Sequence, residues 1–317
     1  MKDLSQLQLN LIKTKKIAIF GFGSQGKSQA LNLRDSGLNI VIALRQNSAS
    51  REVAITEGFQ VETGEVASKQ ADIIMLLLPD ETHKEIFETE IKPNFKKGGT
   101  IIVAHGLSFH FKLIHDFADY NIGMIAPKAV GPAVRKNFLS GEGIFSLFAK
   151  FHEITTDLED ILLEIAFAIG TNRILETDFK TECETDLFGE QVSIVGGVTS
   201  LITKSFEVLV EAGYNPEIAY YECVQELKLI TDLIYEKGID AMFSSISNTA
   251  KYGAFKVGDF IIDESVKVRM KEALKSIQDG SFAKEFMKDK NFKEEIGKKY
   301  RDTALIKAGK NVLNIKK

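Results

Sequence analysis

The 317-residue chain has no tryptophan, only five prolines and only two cysteines. Cys183 and Cys223 have no paired spacing, which excludes a disulfide framework and a cysteine zinc site. Positive charge is not in excess: 40 Lys and Arg stand against 44 Asp and Glu, a net charge of −4. That balance argues against nucleic acid or an anionic membrane as a partner. No apolar run reaches the roughly 18 residues that a membrane span requires. The N-terminus, MKDLSQLQLNLIKTKK, lacks a signal-peptide core and cleavage site, so the cytoplasm is the expected location. Internal repeats and low-complexity segments are also missing. What remains is an ordinary globular composition, 44% hydrophobic and 26% charged, in a chain long enough for about two domains.

The first half alternates short apolar runs with amphipathic stretches. KIAIF (16–20), NIVIAL (39–44), DIIMLLL (72–78), TIIVA (100–104), IGMIA (122–126) and IFSLFA (144–149) read as strands. Continuous apolar runs fit a parallel sheet covered on both faces. SQALNLRDSG (28–37) reads as a crossover helix stopped at Gly37. The pattern is that of a doubly wound α/β domain. After about residue 180, helical periodicity dominates, over 187–212, 216–236, 264–278 and 282–296. FII at 260–262 is the one short strand-like run, and Gly238 and SSISN (244–248) break the helices. The expected organisation is a Rossmann-like domain over residues 1–181 and an all-α domain over 182–317.

GFGSQG places Gly21, Gly23 and Gly26 in the G-x-G-x-x-G pattern, with Phe22, Ser24 and Gln25 between them. Glycines there permit a tight turn, close approach to a pyrophosphate and close helix–strand packing. The following helix N-terminus favours phosphate. The pattern alone is common, but its strand–turn–helix setting favours a dinucleotide. The second strand ends without the acidic residue that accepts an NAD ribose hydroxyl. It carries Arg45, with Ser48 and Ser50 close behind, which suits a 2′-phosphate and hence NADP. The bland alternative is a polar loop.

Asp186 and Glu190 in TDLFGE lie four residues apart, as do Glu222 and Glu226 in YECVQE. On helices each pair shares a face, where like charges repel unless a cation intervenes. Oxygen donors alone suit Mg²⁺, and two such ions can grip a substrate's oxygens. Solvated acidic faces are the competing explanation.

With GFGSQG, AHG, PK, TDLFGEQ and ELKLITDLIYE in view, the chain resembles ketol-acid reductoisomerase, in its short class I form, from about residue 15 to the C-terminal region. The resemblance implies two Mg²⁺ ions, NADP(H) and a small 2-hydroxy-3-oxo acid such as acetolactate or acetohydroxybutyrate. An alkyl group migrates, and hydride reduction then gives a 2,3-dihydroxy acid of the valine and isoleucine pathways. It implies metal ligands Asp186 and Glu190 from one subunit and Glu222 and Glu226 from a partner. Catalytic roles fall on His105, Lys128 and Glu226, and Ser247 would hold the substrate carboxylate. Cofactor contacts extend over Gly21 to Gly26, Arg45, Ser48, Ser50, Asp80, His83 and Gly131. The helical domain would be knotted and would build a homodimer with shared active sites.

The chain also departs from the family. The family reads G-H-A-H where this chain has GKSQ (26–29), H-E-L-K where it has QELK, N-T-A-E where it has NTAK, and A-P-K-G-P-G-H-T where it has APKAVGPA. Ala129, Val130, Pro132 and Ala133 thus rebuild the loop after Lys128, and Ala129 and Val130 lack the special backbone geometry of the Gly-Pro pair they replace. Two alternatives follow: a related enzyme with another 2-oxo or 2-hydroxy-3-oxo acid substrate, or an inactive paralogue that only binds. A β-hydroxyacid dehydrogenase would leave the paired carboxylates unexplained. His110, His115 and His152 show no partner pattern and read as surface or packing residues.

Overall fold

A computed structural model describes residues 1–315, and the chain divides into two compact units, Met1–Thr185 and the residues from Asp186 onward. The first unit is built on a nine-stranded sheet: β1 (Lys2–Asp3), β2 (Lys16–Phe20), β3 (Asn39–Ala43), β4 (Gln60–Glu62), β5 (Ile73–Leu76), β6 (Thr100–Val103), β7 (Asn121–Pro127), β8 (Ile144–His152) and β9 (Thr171–Glu176). Their spatial order is β1-β9-β8-β7-β6-β5-β2-β3-β4. From β4 to β7 all pairings are parallel; β8 then runs antiparallel to β7, and β1 antiparallel to β9.

Continuous apolar strands arise because alternate residues feed opposite faces. In β2, Ile17 and Ile19 join one buried cluster while Ala18 and Phe20 join the other. In β5, Ile73 and Met75 divide from Ile74 and Leu76 in the same way. Each fully buried large side chain of this kind contributes about 1.5–3 kcal/mol. Ile19→Ala would leave a cavity between sheet and helix, at a cost of about 2–5 kcal/mol.

Every expected strand is present, but β1, β4 and β9 are additional. β4 is only QVE, and β9 buries just two of its six side chains, so neither shows an apolar run. The expected crossover helix spans Ser24–Asp35, and Gly37 follows it in the left-handed conformation (φ +82°) that suits glycine after a helix end.

Downstream of β9 the chain is helical. Phe179–Gly189, Glu190–Ile194 and Gly196–Glu211 form a nearly continuous rod whose middle piece is a π-turn. Pro216–Tyr220, a second π-turn at Tyr221–Gln225 and Glu226–Ser245 form the next. Gly238 (φ 83°, ψ 170°) breaks that last helix, as its position in the sequence predicts. Three expectations need correction here. FII is not a strand: Phe260 and Ile261 end the helix Asn248–Ile261. The single helix over 282–296 is two, Ser281–Lys288 and Phe292–Tyr300, because Asp289 takes extended angles. A last helix, Ala304–Ile315, was not anticipated. Among the described residues, the stretch Phe179–Glu211 is also long and apolar enough to cross a membrane by length and composition, although no uninterrupted apolar run announces it.

Candidate active site

The strand order reverses around β2, and a doubly wound sheet opens its ligand crevice at such a point, beyond the carboxyl ends of the strands. Five predicted elements follow carboxyl ends there: Gly21 after β2, Arg45 after β3, Asp80 after β5, His105 after β6 and Lys128 after β7.

The three glycines of the turn have three different reasons to be glycine. Gly21 has φ +100°, and a Cβ on it would sit 2.6 Å from the Leu77 carbonyl oxygen. A Cβ on Gly26 would lie 2.4 Å from the Gly21 oxygen. Gly23 faces open space, with nothing within 4 Å, which leaves room for a ligand to approach the backbone. Phe22 does not face a ligand with its ring: it is buried and meets Phe59 edge-on at 5.6 Å. Only its backbone can serve the cofactor. Ser24 is exposed in the first turn of the helix, where N–H groups lack intrahelical acceptors. Gln25 has turned inward: its Nε2 donates to the Ala129 oxygen at 2.8 Å, and its Oε1 accepts from Gln29.

At the end of β3 the two arginines divide their work. Arg51 spends its guanidinium on the Leu44 and Val61 carbonyls, at 2.9 and 3.3 Å. Arg45 is exposed; its carbonyl accepts from the Ser48 N–H at 3.0 Å, and its charge acts on Glu90. Ser48 and Ser50 sit beside it, half-buried, with the Ser50 N–H directed at the Ser48 hydroxyl.

His83 is buried, and both its ring nitrogens are engaged within the protein. Nδ1 lies 2.9 Å from Ser108 Oγ, and Nε2 lies 2.9 Å from the Leu78 oxygen. Burial lowers its pKa below 6.5, against the favourable charge of Asp80. His83 thereby ties the loop after β5 to Ser108 beyond β6.

His105 and Lys128 converge on a carboxylate that sequence reasoning missed, Glu182. Lys128 Nζ donates to Glu182 Oε1 at 2.9 Å, and His105 Nδ1 lies 3.2 Å from Oε2. The Gly106 N–H adds a longer contact at 3.4 Å. Glu182 is 1% exposed, so its charge stands on these partners. Burial raises its pKa, but His105 and Lys128 outweigh burial and hold it low. For His105 burial opposes the charge; Cys183 and Glu182, against its two nitrogens, reverse this and hold its pKa well above 6.5. Cys183 Sγ is 3.7 Å from Nε2, and burial pushes the thiol pKa up. The signal for Glu182 was available: it stands four residues before Asp186, on the same helix and the same face.

The rebuilt loop keeps an ordinary backbone. Val130 has φ −65°, the angle that a proline ring enforces, and it caps the helix Gly131–Ser140. Ala129 is not among the left-handed residues, so the loss of glycine there carries no strain. Pro132 occupies the first helical turn, where an N–H has no intrahelical acceptor. Gly131 is required by packing: a Cβ would lie 2.2 Å from the Ser24 oxygen. Lys27, another departure, pairs with Glu57 at 2.7 Å.

In the helical unit, both carboxylate pairs border π-turns. Glu190 opens the first, Glu222 lies within the second and Glu226 follows it. Such turns recur at functional sites because they re-aim side chains. Gly196 and Gly197 make the first one sterically feasible, since Cβ atoms would sit 2.2 and 1.9 Å from the oxygens of Gln191 and Val192. Among the described residues, Asp186, Glu190, Glu222 and Glu226 form no common cluster within one chain. Ser247 caps the helix Asn248–Ile261, its hydroxyl accepting from the Ala250 N–H at 3.2 Å. His110 and His152, expected to lack partners, face Glu184 at 3.2 Å and the Tyr120 oxygen at 2.8 Å.

Comparison with known proteins agrees with this geometry. Residues 11–174 match the NADPH-binding domain of acetohydroxy acid isomeroreductase, and residues 179–317 match the C-terminal domain of ketol-acid reductoisomerase. The ketol-acid reductoisomerase (NADP(+)) of Sulfurimonas denitrificans is 51% identical over 281 residues, 88% of this chain and 83% of that protein. The enzyme of the same name from Saccharolobus solfataricus is 44% identical over 320 residues, 95% of each chain. The structure of an NADH-preferring ketol-acid reductoisomerase from an uncultured archaeon superposes with a TM-score of 0.92, at 39% identity and 96% coverage of both chains.

Proposed function

The chain belongs to the ketol-acid reductoisomerase family, and from that premise we propose how its residues divide the reaction. It is an NADP-linked oxidoreductase and isomerase of branched-chain amino-acid biosynthesis. The substrate is 2-acetolactate or 2-aceto-2-hydroxybutyrate, and the product is the 2,3-dihydroxy acid. The observation that carries the reading is the His105–Glu182–Lys128 cluster at the carboxyl edge of a dinucleotide-binding sheet.

The dinucleotide lies across Gly21–Gly26, with Gly23 open to the pyrophosphate. Arg45, Ser48 and Ser50 take the 2′-phosphate, while Asp80 and Gly131 border the nicotinamide side. Two Mg²⁺ ions would fit the donor set, because Asp186, Glu190, Glu222 and Glu226 offer four hard oxygen donors. Glu222 and Glu226 reach the site from a second copy of the chain, which accounts for their separation from Asp186 and Glu190. When bound, the ions supply Lewis acidity that lowers the barrier to removing the hydroxyl proton and polarises the neighbouring carbonyl. Ser247, at its helix N-terminus, orients the substrate carboxylate. Lys128 Nζ and the protonated His105, both hydrogen-bonded to Glu182, donate rather than accept: they would stabilise the oxygen that loses its proton in the first step. The same cluster returns a proton to the alkoxide that hydride transfer creates. Overall, substrate, NADPH and one proton give diol and NADP⁺.

The apolar stretch Phe179–Glu211 is read as a subunit contact in a cytoplasmic homodimer, since it carries Glu182, Asp186 and Glu190 along its first half. Product analysis with 2-acetolactate and NADPH tests the reading. Consumption of NADPH with formation of 2,3-dihydroxyisovalerate, abolished by EDTA and restored by Mg²⁺, is expected. Reduction of a 2-oxo acid without rearrangement of acetolactate would favour the altered-substrate alternative. Activity that survives EDTA sinks the two-ion reading.

A further inference from the structure

Beyond the reaction site, the first unit holds a cavity of about 460 Å³. Its floor is aromatic. Phe109 and Phe179 are buried there, and Phe117 and Phe151 complete the wall, with ring centroids 4.8 to 6.1 Å apart. Its volume falls within the roughly 300–1,000 Å³ of small-molecule sites. Such a floor is typical of core; its opening to solvent beside cationic side chains is not.

The charges around it are unequally committed. Lys150 is held by Glu153 and Glu159 at 3.2 and 3.5 Å. His110 faces Glu184, and the Asp178 carboxylate accepts from the Thr181 N–H and hydroxyl at 2.8 and 2.7 Å. Lys112 and Lys180 also line the cavity; the Lys112 N–H donates to the Phe109 oxygen at 3.1 Å, and the Thr181 hydrogen bonds and, less, the Lys180 charge hold the Asp178 pKa low, but neither ammonium is in a salt bridge among those described.

Backbone strain singles out the same wall. Among the described residues, only Lys112 (φ 54°) and Asp116 (φ 56°) are non-glycine residues in the left-handed region, and they bracket the lining residues Ile114 and His115. Glycine would relax the turn at 112, so the chain keeps a cation there at a conformational cost. Left-handed non-glycine residues concentrate at ligand clamps and active sites.

We propose that this cavity binds a small organic monoanion with an aromatic or branched apolar body. The phenylalanines take the apolar part, while Lys112 and Lys180 neutralise its carboxylate. Phe179 is both a wall of the cavity and the first residue of the helix that carries Glu182. Its carbonyl would be 2.9 Å from a Cβ on Gly106, which places the ligand one residue layer behind the His105 loop.

Isothermal titration of the full-length protein, with NADP⁺ saturating the dinucleotide crevice, tests this. The probes are phenylacetate, neutral phenylacetamide and cationic phenethylamine. Saturable binding of one phenylacetate per chain is expected, with phenylacetamide weaker and phenethylamine silent. Lys112→Gly combined with Lys180→Gln should weaken phenylacetate about tenfold or more, a change of about 1.4 kcal/mol in binding free energy. Glycine is at home at φ 54°, so this variant retains the fold. Phe151→Ala, on a partly exposed ring, should weaken all aromatic probes alike. The proposal is overturned if phenylacetate shows no saturable binding at millimolar concentration. It is equally overturned if the double variant binds as the parent does, or if phenethylamine binds as well as phenylacetate.

Discussion

The two units of this chain bury their apolar residues to very different extents. The sheet unit divides its strands into two buried clusters, so that residues such as Ile17, Ile19, Ile74 and Phe148 are fully enclosed. The helical unit encloses little beyond Phe206, Met242, Ile277 and Val312, and leaves Tyr235, Phe255 and Phe260 at 91%, 78% and 79% exposure. Exposed apolar surface on that scale fits the proposed subunit contact. The distribution of chemistry follows the same division. In the sheet unit His105, Lys128 and Glu182 meet, whereas among the described residues the four proposed metal carboxylates form no common cluster. A unit that is unfinished in its packing is also unfinished in its chemistry, and one partner subunit would supply both.

The largest test of that comparison is Glu226→Gln. Loss of an outer-shell metal partner costs about 10- to 100-fold, so loss of a direct ligand should cost at least 100-fold in acetolactate turnover. NADPH affinity, measured by fluorescence titration, should hardly change, because the dinucleotide residues all belong to the other unit. Mixing Glu226→Gln protein with Asp186→Asn protein should restore part of the activity, since one hybrid site then contains four intact ligands. Failure of complementation would place all ligands on one chain.

Glu182→Gln asks whether the sheet unit completes its own cluster. A neutral amide leaves Lys128 and His105 without their shared counter-charge, and turnover should fall about 100-fold, as for loss of a preorganised electrostatic group. The pH dependence of stability gives a second measure. The Glu182 pKa is depressed in the folded state, so its contribution is present above its ordinary value of 4.5 and is lost as pH falls below it. The His105 pKa is raised, so its contribution is full below 6.5 and is lost as pH rises through the higher folded value. In EDTA, the stability gap between parent and Glu182→Gln should therefore be widest between about pH 4.5 and 6.5. A gap independent of pH would refute the ion-pair account.

Arg45→Asp should act on the sheet unit alone. A charge-assisted hydrogen bond contributes about 1.5–3 kcal/mol, so NADPH affinity should fall about 10- to 100-fold while NADH affinity holds or rises. An unchanged preference between the two cofactors would remove Arg45 from the 2′-phosphate site.

The same division separates what the sequence could reveal from what it could not. Periodicity identified the strands with two buried faces, β2, β3 and β5 among them, because an apolar run is required there. It missed β4 and β9, whose polar residues face solvent. Glycine spacing located a tight strand-to-helix turn, and Gly21 and Gly26 there are each required sterically, while Gly23 faces open space. Spacing puts Glu182 on the helix face of Asp186, but only the fold brings His105 and Lys128, 77 and 54 residues away in sequence, to its carboxylate. The hydrogen bonds of the His83 ring are hidden in the sequence for the same reason: its partners, Leu78 and Ser108, are set by the fold. In the helical unit, apolar periodicity predicts long helices, but it cannot distinguish a face buried within the chain from one awaiting a second copy. That is also why FII at 260–262 looked like a strand.

The smallest expected effect concerns the one segment of the sheet unit that departs most from the family, APKAVGPAVR. If the loop has been rebuilt in sequence but not in backbone, Val130→Pro should be accepted without adjustment. The φ of −65° already matches the ring, and the Val130 N–H makes no backbone hydrogen bond among those described. The ring would also restrict the unfolded chain, which stabilises by about 0.4–1 kcal/mol where no strain is introduced. A small rise in melting temperature with unchanged acetolactate turnover is therefore expected. The Gln25–Ala129 bond, at 2.8 Å, is the feature most exposed to error here, because a proline constrains the residue before it. A fall in melting temperature, accompanied by weaker NADPH binding, would mean that Ala129 must leave the extended region to hold Gln25. The loop would then differ from its relatives in backbone as well as in side chains.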